Sequence, residues 1–151
     1  MSSLVIDTQK GRNTLIFDIP GAYLHPDMPE HNTLLLKIQR KFADIMCDVN
    51  LELKEHISYE KVRKVLYMLL LKALYGCMEY NILWYYLYNN TLKGMAFKLN
   101  LYDICVANNV ANMEQCTLCW YVDNNKVSHM EDKVNTDIVV EISKHLGELN
   151  I

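Results

Sequence analysis

The sequence predicts an α+β fold in which helices pack on one face of an antiparallel sheet. Three observations lead to this prediction. Short apolar runs that end in turn-forming residues indicate strands. Three adjacent Asx residues between two such runs indicate a hairpin. Two longer stretches, in which apolar residues recur at helical spacing, indicate helices. The resulting order of strand, strand, helix, hairpin and helix favours α+β over alternating βαβ units.

The first two strands lie in the N-terminal third of the chain. Thr14-Leu15-Ile16-Phe17 is an apolar run rich in β-formers, and it ends at Asp18. Pro20-Gly21 then forces a turn, and two further prolines keep the next stretch irregular. The second strand is expected at Leu34–Ile38.

The middle of the chain is less regular. Residues 43–61 mix charged and scattered apolar side chains and receive no assignment, while Val62–Leu71 suits either a strand or a buried helix. One long amphipathic helix is expected after Gly76, with Gly94 as its stop. Its apolar face is formed by residues at helical spacing: Trp84, Tyr88, Leu92 and Met95.

The last third predicts a hairpin and a closing helix. Thr117–Val122 and Lys126–His129 are the two strands, and Asp123-Asn124-Asn125 between them offers a tight turn, since Asx residues tolerate left-handed conformations. One face of the final helix is then expected to carry residues at helical spacing: Val134, Ile138, Ile142, His145 or Leu146, and Leu149.

Composition bounds the class of protein. The 151 residues are 51% hydrophobic and 22% charged, which is typical of one globular domain spanning 1–151. The formal net charge of −3 has the wrong sign for a protein whose main task is to grip phosphates. Met1–Lys10 lacks the features of a secretory signal, and Val65–Leu71 is too short to span a bilayer. Five cysteines without a regular framework favour a reduced, intracellular setting.

Two carboxylates draw attention because of the residues around them. Taken singly, Asp18 and Asp123 would each be interpreted as an ordinary Asp in a turn. However, Asp18 lies within Phe17-Asp18-Ile19-Pro20-Gly21-Ala22-Tyr23, and Asp123 within Tyr121-Val122-Asp123-Asn124. Between these segments stands Ala73-Leu74-Tyr75-Gly76, followed by Trp84-Tyr85.

These segments, in this order and at these spacings, resemble motifs A, B and C of the palm of a copia-type LTR retrotransposon reverse transcriptase. The resemblance covers residues 11–149. It implies a palm-like antiparallel sheet and an RNA-directed DNA polymerase that acts on an RNA or DNA template-primer and deoxynucleoside triphosphates. It further implies a cytoplasmic or virus-like-particle location and no membrane association.

The resemblance also implies roles for individual residues. Asp18 and Asp123 would hold two Mg²⁺ ions, with Mn²⁺ as a possible substitute, for two-metal nucleotidyl transfer. Tyr23 would be the steric gate under the incoming sugar, and Gly21 and Ala22 would lie near the triphosphate. Gly76 would allow template or nucleotide to approach closely.

The chain departs from the family pattern in three ways. Asn124 stands where the family has a second catalytic Asp, so two formal negative charges replace three. Cys77–Leu83 lacks the Lys, Gln and Pro usual after the motif B glycine. Moreover, the chain is expected to lack fingers, thumb and RNase H segments of a parent polyprotein. Two functions therefore remain open: an impaired polymerase palm, or a non-catalytic remnant of a decayed element with at most a binding role.

Other sites are less favoured. Cys116-x-x-Cys119 has the spacing of zinc ligands, but strand positions three apart face opposite sides of a sheet. Lys61–Lys64 is expected to be an exposed turn. Three histidines in polar stretches are expected to be solvated: His25, His31 and His56.

Overall fold

The computed structural model describes residues 2–29, 33–74, 76 and 79–151, so His31, Tyr75 and Cys77 lie outside the described residues. The chain divides into two compact units, one comprising Met1–Pro26 and Leu74–Ile151 and the other Asp27–Ala73. This division does not decide whether the chain is one domain, which stays a prediction.

The described residues form eight strands and four α-helices. The strands are β1 (Asn13–Asp18), β2 (Leu35–Gln39), β3 (Ile57–Glu60), β4 (Arg63–Leu69), β5 (Lys98–Leu99), β6 (Val106–Ala111), β7 (Glu114–Tyr121) and β8 (Asn124–His129). The helices are α1 (Ser2–Gln9), α2 (Lys41–Val49), α3 (Tyr80–Gly94) and α4 (Asp132–Leu146). Two antiparallel sheets with helices make the fold α+β, as the sequence predicts.

The first unit is built on a five-stranded antiparallel sheet in the order β1-β8-β7-β6-β5. Its core lies between one face of this sheet and the helices α3 and α4, where both tryptophans are buried. The helical spacing of Trp84, Tyr88 and Leu92 is confirmed, since all three face this core. Helix α3 ends at Gly94, as the sequence predicts.

Helix α1, which the sequence analysis did not predict, lies against the opposite face. Lys126 on β8 donates hydrogen bonds to Ser3 and Asp7 of α1, although its neighbours in the strand, Asn125 and Val127, face the core. The expectation that helices cover only one face of the sheet is therefore wrong. Helix α1 buries its acidic Asp7 and exposes its apolar Leu4–Ile6, which is why periodicity failed to find it.

The second unit contains a three-stranded antiparallel sheet in the order β2-β4-β3. The predicted strand at Leu34–Ile38 is confirmed as β2, and the ambiguous Val62–Leu71 forms a strand, β4. The unassigned stretch holds α2, a 3₁₀ helix at Leu51–His56, and β3. Lys61-Val62 is a two-residue hairpin turn, so only the first half of the basic run Lys61–Lys64 is turn.

Candidate active site

The end of β1 meets the β7–β8 hairpin. Asp18 is the pairing partner of Asn124, and the backbone N–H of Ile19 donates to the carbonyl oxygen of Asp123 at 3.0 Å. Asp18 and Asp123 are half-buried, and Asn124 is exposed. Sheet pairing therefore brings the three residues predicted from motifs A and C together.

The side chains of Asp18 and Asn124 lie on one face of the sheet. Directly opposed residues in an antiparallel pair project to the same side, so Asp18 and Asn124 share a face. Since Phe17 and Asn125, the adjacent residues on the two strands, face the core, Asp18 and Asn124 lie on the face away from α3 and α4.

The hairpin turn begins one residue earlier than predicted, at Val122 instead of Asp123. Tyr121 pairs with Asn124, so Val122-Asp123 forms the two-residue loop and Asn124 and Asn125 belong to β8. Val122 has φ 59°, a conformation that a β-branched residue adopts only at a cost in free energy. The indole N–H of Trp84 donates to the Val122 carbonyl at 2.9 Å and helps to hold that conformation.

The amide at position 124 changes the chemistry of its neighbour. The Asn124 Nδ2 donates a hydrogen bond to Oδ1 of Asp123 at 3.0 Å. An aspartate in this position would have no such donor and would add a negative charge. The amide thus engages one acceptor site of the Asp123 carboxylate, and Asp18 and Asp123 remain as the two carboxylates of this cluster.

A further backbone segment lies beside Asp18. The backbone N–H of Asp18 donates to the Asn150 carbonyl at 2.8 Å, and the Asn150 N–H donates back to Asp18 at 3.1 Å. The C-terminal segment thus covers the free edge of β1 next to the candidate site. Nothing in the local sequence around Asn150 signals this pairing.

The residues predicted to bind nucleotide follow β1 directly. Gly21 has φ 63° and begins the 3₁₀ helix Ala22–Leu24. Ala22 is fully buried, and the Tyr23 ring is 5% exposed and meets the Tyr80 ring edge-on, with a centroid distance of 4.3 Å. Tyr23 therefore packs in the core here, and its role as a steric gate stays a prediction.

Gly76 has φ 93°, a backbone conformation that favours glycine whatever lies nearby. Among the described atoms, none lies within 4 Å of the place where a Cβ on Gly76 would sit. This geometry is compatible with close approach of a ligand but does not identify one.

The cysteines do not form a shared site within the described residues. Cys47, Cys105, Cys116 and Cys119 are free thiols. On β7, Cys116 faces the core, where burial raises its pKa to about 11, whereas Cys119 faces α1. Across residues 2–29, 33–74, 76 and 79–151, no group of three or more His, Cys, Asp or Glu side chains could hold a metal ion. That finding does not test a site made of two aspartates and an amide.

Comparison of the chain with protein-family models, with curated proteins and with solved structures found no match. In the described part of the chain, no helix is long and apolar enough to cross a membrane. The resemblance to reverse transcriptases therefore rests on the motif residues alone.

Proposed function

We propose that this chain is a palm-like domain of a copia-type reverse transcriptase, with a nucleotidyl-transfer site that Asn124 impairs. One observation carries the proposal: β1 and β8 pair so that Asp18 stands opposite Asn124, with Asp123 adjacent in a strained turn. Motif residues that are 105 positions apart in sequence are thereby neighbours in the sheet.

In this proposal Asp18 and Asp123 bind Mg²⁺ or Mn²⁺, because both cations prefer oxygen ligands. The metals would activate a primer hydroxyl and stabilise the leaving pyrophosphate. The partners would be an RNA or DNA template-primer, deoxynucleoside triphosphates, and fingers and thumb segments of a parent polyprotein. The setting would be the cytoplasm or a virus-like particle.

The second candidate function is a non-catalytic remnant of a retroelement with at most a binding role. The hydrogen bond from Asn124 to the Asp123 carboxylate favours it, because this bond competes with a metal for the same oxygen. The burial of Tyr23 points the same way.

A metal titration separates these candidates. We expect Asn124→Asp to lower the Kd for Mn²⁺ by about tenfold or more, since a third carboxylate adds charge at close range. Asp18→Asn should abolish binding in either background. Free Mn²⁺ is counted by electron paramagnetic resonance, and Asp137→Asn on α4 is the control. Failure of both the wild type and Asn124→Asp to bind Mn²⁺ would refute the metal site.

Primer extension then tests activity. The palm is fused to fingers and thumb segments of a copia-type enzyme, with and without Asn124→Asp. Extension that requires the substitution supports an impaired polymerase, and equal extension shows that the amide is tolerated. Mn²⁺ binding without extension in either fusion supports the remnant.

A further inference from the structure

A buried polar chain connects α3 to the turn that carries Asp123. The Tyr88 hydroxyl donates to Oδ1 of Asn125 at 2.6 Å, and Nδ2 of Asn125 donates to the carbonyl oxygen of Asp123 at 2.6 Å. Tyr88 is fully buried and Asn125 is 2% exposed. Burial raises the pKa of Tyr88, so its hydroxyl remains a neutral donor.

The Asp123 carbonyl is held from two sides. Besides Asn125 it accepts the N–H of Ile19, which follows Asp18 at the end of β1. The two lone pairs of this carbonyl oxygen are therefore matched by one donor from β8 and one from the residue that follows β1. The peptide that follows Asp123 is thus fixed in orientation relative to both strands.

Aromatic packing fixes the other end of the chain. The Tyr88 ring stacks on Trp84, with centroids 5.2 Å apart and planes 12° apart, and meets the Trp120 ring edge-on at 5.3 Å. Rings held on two sides have little freedom to rotate. The direction of the Tyr88 hydroxyl is therefore set by the core.

Asn125 occupies a position where an apolar residue would be buried at a lower cost in free energy. It projects inward from β8 with Val127, and burying an amide requires hydrogen-bond partners to offset the lost hydration. Tyr88 and the Asp123 carbonyl provide those partners. The amide is thus matched to the turn and to α3 at the same time.

We propose that Tyr88 and Asn125 are positioning residues for the Val122-Asp123 turn, and that they set the orientation of the Asp123 carboxylate. The metal-binding part of this statement rests on the proposed function, whereas the orientation of the turn does not. Neither residue touches the metals in this proposal. Both act through the backbone of Asp123.

Two readouts on the full chain test the proposal. Tyr88→Phe removes only the hydroxyl, so the Ile19 amide should exchange with solvent about tenfold faster as the turn loosens. The Kd for Mn²⁺, measured in the Asn124→Asp background, should rise about tenfold, as is usual when the groups that orient metal ligands are removed. Tyr86→Phe, an exposed position on the same helix, should change neither quantity.

A second control distinguishes a positioning role of Tyr88 from a general contribution to stability. Ile142→Val truncates a fully buried side chain on α4, remote from the turn, and lowers the stability of the same core. If it accelerates Ile19 exchange as much as Tyr88→Phe does, the positioning role is refuted. Adding Tyr88→Phe to Asn125→Leu should have no further effect on exchange, because the hydroxyl acts through the amide.

The two readouts separate the failure of this inference from the failure of the proposed function. If the protein binds no Mn²⁺ in any background, the metal site is refuted and Ile19 exchange alone decides whether Tyr88 holds the turn. If exchange accelerates but the Kd for Mn²⁺ is unchanged, the turn is positioned by Tyr88 without consequence for the metal. That result would overturn the proposed link between the turn and the Asp123 carboxylate.

Discussion

The two faces of the five-stranded sheet bury polar groups by different means. On the face toward α3 and α4, Tyr88 and Asn125 are buried, neutral and hydrogen-bonded to each other. On the face toward α1, a charged cluster is buried beside the neutral Ser128: Asp7 pairs with Lys126 and with Arg12, and all three are largely buried. A neutral group needs only its hydrogen bonds, whereas each buried charge also depends on its counter-charge.

The contrast bears on the candidate site, because Asp18 and Asn124 lie on the charged face. The neutral face supplies geometry, through Trp84 and Asn125, but no charge. The hydrogen bonds that hold the turn thus come from one side of the sheet, whereas the charged side chains lie on the other.

The largest expected effect comes from breaking the charged cluster. Asp7→Ala leaves Lys126 and Arg12 buried without their carboxylate, and it should lower the free energy of unfolding by roughly 3–5 kcal/mol. Urea denaturation followed by tryptophan fluorescence measures this, since Trp84 and Trp120 are both in the first unit. Glu141→Ala, which removes an exposed ion pair on α4, should have little effect. Equal losses in the two variants would contradict the assigned importance of the cluster.

A smaller effect is expected from one hydrogen bond on the neutral face. Trp84→Phe removes the N–H that Val122 accepts, whereas Trp120→Phe removes an indole of similar burial. The first variant should lose about 1–3 kcal/mol more than the second, because it leaves a carbonyl oxygen without its donor. Each variant keeps one tryptophan as a fluorescent probe. A larger loss for Trp120→Phe would show that the bond to Val122 contributes little.

The smallest expected effect is a difference in reactivity between two thiols on opposite faces of β7, Cys116 and Cys119. Burial raises the pKa of Cys116 to about 11; burial also raises the pKa of Cys119, with Lys126 acting in the opposite direction. Because only the thiolate is nucleophilic, iodoacetamide at pH 8 should modify Cys119 before Cys116. Mass spectrometry of fragment ions measures the order of labelling. Urea should remove the difference, and faster labelling of Cys116 in the folded protein would contradict its placement in the core.

Most elements found from the sequence have a hydrophobic pattern that matches the core, although β2 was found while exposing Leu35 and Leu36. Helix α3 and the closing helix α4 turn their apolar residues to the core, and β1 is a compact apolar run. Helix α1 was missed because its buried residue is Asp7 and its apolar residues face solvent. Strand β6, with the sequence Val-Ala-Asn-Asn-Val-Ala, has no regular alternation to signal it.

The residues of the candidate site were predicted from motifs, but the residues that hold its turn in place were not. Asx residues at 123–125 suggested a turn centred there, whereas the pairing of Tyr121 with Asn124 makes Val122 a loop residue, and Val122 takes the positive φ. A signal for Asn125 did exist in the sequence. It alternates with Val127 and His129, which marks it as a polar residue on an inward-facing position.

The pairing of Asn150 with Asp18 has a practical consequence for protein engineering. A tag attached directly after Ile151 would begin one residue from this backbone contact. A polyhistidine purification tag attached there would begin within reach of the candidate metal ligands, and its imidazoles bind divalent transition metals. Titrations with Mn²⁺ therefore call for an N-terminal affinity tag that is cleaved before measurement. A bulky fusion partner at the C-terminus would also compete with the strand edge that Asn150 now covers.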